Sequence, residues 1–473
     1  MIRNALAAAT LLAATPALGQ STTQGESEPS YDRALAAGYK ALFLCSAIAN
    51  AERSGTTRGV SSVEAMELTG IQQPMAQTIG ALDANIVRRT FAFPSPTNSQ
   101  RTLRHSALVR VEVAYAPDTA PRIAARRDEG GCSLLPIGMV QVPWNFKEPT
   151  QEKMAANINP APTAPPALPG RNRYAGIAIK GFSSDYGEGT RTTAVLLMRD
   201  GRILDSAYST HYGPHTPQRT WSVAKSIAAT LVGAAVYRRQ TSIDASAGLG
   251  SGEQDPRSMI TLDHALRMAS GRTSDTAGNR TDPLYFGGST VEETALHWPL
   301  AHAPGTVFRY ANNDTLAAIE SIENTFADYP PAKLFEQMGM NHTVAETDWK
   351  GSYILSSQVW STAPDLAKLG QLYLDDGVLP DGTRILPEGW MEYVSSPSGP
   401  QPDGPFGYGA GFWLFNQSEG IPPDTFAAMG NRGQFIIIVP SQKVVIVRRG
   451  EDPAGSRFDI AAFTRDMLKS LEN

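Results

Sequence analysis

The sequence predicts an α+β protein in which an antiparallel sheet flanked by helices is built from both ends of a large C-terminal domain. A small α+β domain stands in front of it. Three observations predict this. A strand-like hairpin, TTAVLLMRDGRILDSAYS, opens the C-terminal domain; strand-like runs return after FGYGAGFWLF; and the stretch between them reads as helices and loops.

The elements follow in chain order. MIRNALAAATLLAATPALGQ carries one Arg, an apolar stretch from Ala5 to Ala14, and the small residues Ala17 and Gly19 before Gln20. Residues 1–19 therefore read as a secretory signal peptide, and the protein is expected to be exported, periplasmic or extracellular. The apolar stretch is too short to span a bilayer, and no later run is read as long enough for a transmembrane helix. No cysteine follows the expected cut, so no membrane anchor is expected. The formal net charge of −5 gives no basic excess, which excludes a nucleic-acid partner.

Residues 20–143 read as the small α+β domain. Ala34, Leu35, Tyr39, Leu42, Phe43, Ala47 and Ile48 fall at helical spacing between Tyr31 and Arg53, and NIVRRTFAF and ALVRVEVAYA read as strands. The chain has two cysteines, Cys45 and Cys132. In an exported protein they are expected to form a disulfide, two buried free thiols being the alternative. Residues 144–172 are proline-rich and aperiodic, a linker or a strap. Residues 173–473 form the larger domain. There the hairpin turns at Arg199, Asp200 and Gly201, Thr362 and Asp365 are spaced as a capping box, and FDIAAFTRDMLKSLE closes as an amphipathic helix.

The chemistry centres on TWSVAKSIAAT, residues 220–230, which places Lys225 three residues after Ser222 in an otherwise apolar helix. A buried ammonium is costly unless it is paired or loses its proton. HYGPHTPQRT breaks just before Trp221, so Ser222 falls in the first helical turn, where amides and dipole disfavour a protonated Lys225. A neutral Lys225, one turn away on the same face, is suited to take the Ser222 proton. The structural alternative is a lysine that snorkels or meets an acid elsewhere.

A third group is needed to pass the proton to a leaving group, and a tyrosine whose pKa is lowered by nearby cations can do so. APGTVFRYANNDT offers Tyr310, with Asn312 two residues on; in an extended segment both point the same way. An oxyanion needs two N–H donors. Ser222 supplies its own amide, and AAMGNRGQFIIIVP offers a close approach at Gly430 with the Asn431 amide as second donor, a plain β-bulge being the alternative. His211 and His215 lie in a Gly/Pro-rich loop without further ligands, so no metal site is expected. No Gly-x-Ser-x-Gly elbow occurs.

The order Ser222-x-x-Lys225, Tyr310-x-Asn312, then a Gly-bearing strand at Gly430 resembles the three motifs of penicillin-recognising serine hydrolases. The chain is similar to class C β-lactamases and their esterase relatives, and among these to the 6-aminohexanoate-dimer hydrolase type. The likeness covers about residues 173–473 and extends to RMASG at 267–271 and WSTAPDLAKLGQLYLDDG at 360–377. It implies a β-lactamase/transpeptidase-like fold with a helical subdomain and an acyl-enzyme on Ser222. Lys225 and Tyr310 would share proton transfer, and Asn312 would hold the lysine or the substrate amide. The implied substrate is a small or linear ester or amide, and no cofactor is implied. One departure matters: where β-lactamases and transpeptidases of this fold carry Lys-Thr-Gly, this chain has Ala428-Met429-Gly430. No cation remains there for a drug carboxylate, and Arg432, which follows the glycine, is not assumed to replace it. A penicillin-binding or weak β-lactamase role therefore ranks second, and a non-catalytic scaffold third. Tyr408, Trp413 and the His211–Pro217 loop are candidate pocket walls or plain packing.

Overall fold

The structure is a computed structural model that describes residues 22–95, 98–143, 146–150, 173–273 and 281–472. The expected signal peptide and most of the proline-rich segment lie outside these residues. The described part of that segment places Phe146 in a small core with Ile123, Ala125 and Leu135.

The N-terminal part begins with α1 (Thr22–Arg53) and α2 (Val60–Met66) and continues into four antiparallel strands. These are β1 (Ala84–Ser95), β2 (Asn98–Val113), β3 (Arg122–Arg126) and β4 (Cys132–Leu134), hydrogen-bonded in that order. Leu108, Val111 and Val113 alternate along β2 and meet Leu42, Ala47 and Ile48 of α1, and a disulfide joins Cys45 to Cys132. One expectation needs correcting. Ser30–Arg53 is 24 residues long and holds an 18-residue window with a mean hydropathy of 1.3, enough by length and composition to cross a membrane, but that window is wholly buried inside the protein. It is a core helix whose small residues let its own sheet and the larger domain pack closely on it.

The larger part runs through β5 (Thr192–Arg199), β6 (Arg202–Tyr208), β7 (Gln218–Arg219), α3 (Val223–Tyr237), α4 (Asn312–Glu320), β8 (Val344–Ala345), β9 (Val359–Ser361) and α5 (Ala363–Leu374). It ends with β10 (Gly407–Tyr408), β11 (Trp413–Leu414), β12 (Phe426–Gly430), β13 (Gln434–Val439), β14 (Val444–Gly450) and α6 (Ile460–Glu472). The main sheet is antiparallel, in the order β10-β11-β12-β13-β14-β5-β6. Its two halves, far apart in sequence, join where β14 pairs with β5, from Val444↔Arg199 to Gly450↔Thr192. Asp200 and Gly201 both adopt positive φ (48° and 71°), the geometry a two-residue hairpin turn needs.

Alternation sends Leu196, Met198, Ile436, Ile438, Val445 and Val447 to the face covered by α3 and α5. Val195, Leu197, Ile437, Val439, Val444 and Ile446 face α6. Because both faces are covered, these strands read as unbroken apolar runs. Gly370 on α5 allows close contact, since a Cβ there would stand 2.6 Å from Val445.

A second, small sheet in the order β7-β9-β8 escapes sequence reading because its strands are two or three residues long. Its Thr220 N–H donates to Val359 O at 2.7 Å, which brings the approach to Ser222 beside the loop at 355–358. At the start of α5 only half of the expected capping box forms. Asp365 N–H donates to the Thr362 hydroxyl, but the Asp365 carboxylate accepts from His342 N at 2.8 Å and Thr343 Oγ1 at 3.0 Å instead of closing the box.

The two parts share a core. Tyr39 and Phe43 of α1 stack at 4.2 Å, and Phe43 lies 5.9 Å from Trp221 and 6.0 Å from Trp360 between ring centroids. Arg122 on β3 donates to the carbonyls of Phe286 and Gly287 at 3.2 and 3.0 Å. The N-terminal helix thus supports the backbone next to Ser222.

Candidate active site

Trp221 takes φ +49°, a left-handed conformation that a tryptophan adopts only when its surroundings hold it there. The sharp turn delivers Ser222 to the N-cap of α3 with φ −68° and ψ −5°, and the Ser222 side chain makes no capping hydrogen bond. The hydroxyl is turned to another partner: Lys225 Nζ, one helical turn on, lies 3.0 Å from Ser222 Oγ.

Lys225 is only 2% exposed. Its Nζ also donates to Asn312 Oδ1 at 2.6 Å and to the Ser356 carbonyl at 2.9 Å. These partners suit a neutral amine, which has two N–H donors and one lone pair: two acceptors take the hydrogens, and the lone pair is left for the Ser222 hydroxyl proton. None of the three is a carboxylate. Burial accordingly pushes the Lys225 amine down from 10.5 to about 7.

The second pair arrives from the segment before α4. Ala311 is extended, with φ −140° and ψ 129°, so Tyr310 and Asn312 project to the same side. Asn312 is fixed at its other end, Nδ2 donating to Thr281 Oγ1 at 3.0 Å. The Tyr310 ring, 37% exposed, borders the opening with its centroid 5.0 Å from Lys225 Nζ. Desolvation pushes the Tyr310 phenol well above its ordinary pKa of 10.0. That direction is opposite to the one nearby cations would give.

Gly430 runs against the nucleophile turn. A Cβ there would collide with the Thr220 carbonyl and lie 3.1 Å from the amide nitrogens of both Ser222 and Val223. Gly430 pairs with Gln434, so Asn431, Arg432 and Gly433 form a three-residue hairpin turn between β12 and β13. Asn431 is exposed, its Oδ1 accepting from the Arg432 amide at 2.9 Å. Arg432 is turned away from the opening: it is 6% exposed and its Nε donates to Glu451 Oε2 at 2.7 Å. It offers no free cation to a substrate carboxylate.

Tyr408 and Trp413 form an aromatic group with Tyr310, 6.1 and 5.4 Å from its centroid. Tyr408 is buried, so it is packing behind Tyr310, whereas Trp413 is partly exposed beside it. In the His211–Pro217 loop, His215 Nδ1 meets His342 Nε2 at 3.0 Å. Among the described residues no cluster of three or more His, Cys, Asp or Glu is placed to hold a metal ion. Sequence reading missed the Ser356 carbonyl, Thr281, and Tyr285, whose hydroxyl is 2.6 Å from Ser356 Oγ. A backbone carbonyl carries no signature in sequence, and Thr281 and Tyr285 belong to no recognisable spacing. A cavity of about 640 Å³ lies elsewhere, between Met198, Gln371, Leu379 and Lys443, so polar geometry and not cavity size singles out the Ser222 cluster.

Residues 179–462 match the beta-lactamase family model. A 6-aminohexanoate-dimer hydrolase of Paenarthrobacter ureafaciens is 29% identical over 235 residues, covering 44% of this chain and 58% of that protein. The chain thus spans less than two thirds of that relative's length. Among solved structures, a putative 6-aminohexanoate-dimer hydrolase from Bacillus anthracis superposes with a TM-score of 0.51 at 21% identity, over 59% of this chain and 79% of that one. A putative beta-lactamase from Bacteroides dorei gives 0.50 at 17% identity, over 62% and 97%. The family match spans more than half of the chain and contains Ser222, Lys225, Tyr310 and Gly430: the chain belongs to the beta-lactamase family.

Proposed function

We propose that the protein is an exported serine hydrolase that cleaves ester or amide bonds of a small or linear substrate through an acyl-Ser222 intermediate. The observation that carries the proposal is the buried Lys225, its Nζ 3.0 Å from Ser222 Oγ and its other two partners both carbonyl oxygens. Neutral Lys225 takes the Ser222 proton as Oγ bonds to the substrate carbonyl carbon. The oxyanion so formed sits between the amides of Ser222 and Asn431, where Gly430 leaves room. The carbonyl–leaving-group bond then breaks while protonated Tyr310 gives its proton to the departing oxygen or nitrogen, and Lys225 returns a proton to Tyr310. Water attacks the ester in the second half, by the same groups in reverse. Export is supported by the signal-like residues 1–19 and by the Cys45–Cys132 disulfide.

Ester or amide cleavage is preferred over β-lactam or D-Ala-D-Ala cleavage because Ala428 is uncharged and buried and Arg432 is held by Glu451. The test is intact-protein mass spectrometry after a fluorophosphonate, with p-nitrophenyl acetate and butyrate as substrates, on wild type and Ser222→Ala. One adduct on Ser222 and turnover lost in the variant are expected. Labelling that persists in Ser222→Ala would refute the nucleophile, and no labelling with no turnover would leave the scaffold reading.

A further inference from the structure

The N-terminal part and the Gly430 hairpin meet at one arginine. Arg432 follows Asn431, and its backbone is left-handed, φ +56°, in the turn that closes β12 onto β13. Its side chain does not turn out to solvent, as a turn arginine usually does. It runs inward and is gripped from two sides. Nε donates to Glu451 Oε2 at 2.7 Å, with both side chains nearly wholly buried. Nη2 donates to the carbonyls of Met66 and Thr69, both at 2.9 Å. Those carbonyls belong to the last turn of α2 and the residues just after it, where a helix has unsatisfied acceptors and the negative end of its dipole.

The same spot is reinforced from β5. Arg191, just before that strand, donates to Thr69 O at 3.0 Å, Thr69 Oγ1 at 2.7 Å and Glu451 O at 2.7 Å. The Gly70 carbonyl accepts from Ala454 N at 2.6 Å. The end of α2 is itself anchored, because Glu67, next to Met66, takes a bidentate bond from Arg58 at 2.9 and 2.8 Å and a further bond from Tyr212 at 3.3 Å. The turn bearing the Asn431 amide is thus tied through one planar guanidinium to the C-terminus of α2.

We propose that Arg432 is a positioning residue: it carries the rigidity of the N-terminal part to the Asn431 amide and so sets the oxyanion donor against Ser222. The claim rests on the acyl-Ser222 reading above. It gives the N-terminal part a role in the reaction beyond stabilising the fold. The planar fork is essential to it, since a lysine ammonium can neutralise Glu451 but has no fixed geometry with which to hold Glu451 and two carbonyls at once.

The test uses the full chain and two variants. Arg432→Lys keeps the buried charge. The double variant Arg432→Met with Glu451→Met removes both charges, so that neither is stranded. For each, kcat and KM on p-nitrophenyl butyrate are compared with the inhibition constant of a trifluoromethyl ketone, which forms an oxyanion on the serine, and with the melting curve. The expected result is a folded protein with kcat down about 10- to 100-fold, KM within about twofold, and ketone binding weakened by the same factor as kcat. A purely structural role would not tie ketone affinity to kcat in this way. Wild-type kcat and ketone affinity in either folded variant would overturn the proposal, as would a loss confined to KM. If the wild type gives no Ser222 adduct, the acyl-enzyme reading itself has failed, a result separate from any difference between variants.

Discussion

Replacing Lys225 with methionine should change how stability depends on pH, and the sign follows from burial. In the unfolded chain the amine titrates at its ordinary 10.5; in the fold it titrates at about 7. Between these values the unfolded chain holds a proton that the folded protein lacks, so wild-type stability rises with pH across the window. The cost of burying the amine is full below about pH 7 and has vanished above pH 10.5. Methionine has no such cost at any pH. The contacts it forfeits, to Asn312, Ser356 and Ser222, do not titrate here, so they offset the two proteins by a constant amount. One unit of pKa difference corresponds to about 1.4 kcal/mol, and allowing for half-titration at the folded value, wild type should gain about 2 kcal/mol on Lys225→Met between pH 7 and pH 9. Urea unfolding of both proteins at pH 7, 8 and 9 measures the difference directly. A difference that is flat, or that falls with pH, would refute the neutral-lysine argument. The kinetic counterpart is that wild-type kcat/KM should fall about tenfold per unit as pH drops below about 7.

Two further substitutions probe the other groups. Tyr310→Phe removes the proton donor but leaves the ring, so single-turnover acylation by an alkyl amide should slow by about 10²- to 10⁴-fold, while the burst release of p-nitrophenol from an ester, whose leaving group needs no proton, should slow by less than about tenfold; equal losses in the two acylation rates would contradict the assignment. Gly430→Ala pushes a methyl group into the Thr220 carbonyl and the Ser222 amide, and kcat for the ester should fall about 100-fold or more in a protein that still melts cooperatively, whereas unchanged kcat would mean that this strand does not border the oxyanion.

What the sequence discloses about this fold follows from the range of the interactions involved. Ser222 and Lys225 are one helical turn apart, and Tyr310 and Asn312 share one extended segment, so each pair is brought together by local backbone geometry that spacing alone reveals. The strands of the main sheet are similarly legible, because burial on both faces writes VLLM and IIIV into the chain. The Ser356 carbonyl is not legible, since any residue there would present the same oxygen. Asp365 looked like half of a capping box, and a partner 23 residues upstream claimed its carboxylate. Arg432, judged only as a substitute for a missing cation, is committed inward by Glu451 and by carbonyls from a part of the chain more than 360 residues earlier. Ambiguity in each case lay in a long-range partner, which no local pattern encodes.

The contact between α1 and the Ser222 region also bears on how the molecule is made. Phe43 leaves the ribosome early, but the indole rings it rests on belong to Trp221 and Trp360. Until residue 360 has been synthesised, a 24-residue apolar helix has no complete seat, and closing so long a loop is slow. The nascent chain therefore passes through a stage in which a long apolar segment is unprotected, a hazard for aggregation. The same dependence acts in reverse on any fragment trimmed to begin near residue 173. It would retain Ser222, Lys225 and Tyr310 yet bare the aromatic surface that α1 covers, and an insoluble fragment would say nothing about the chemistry.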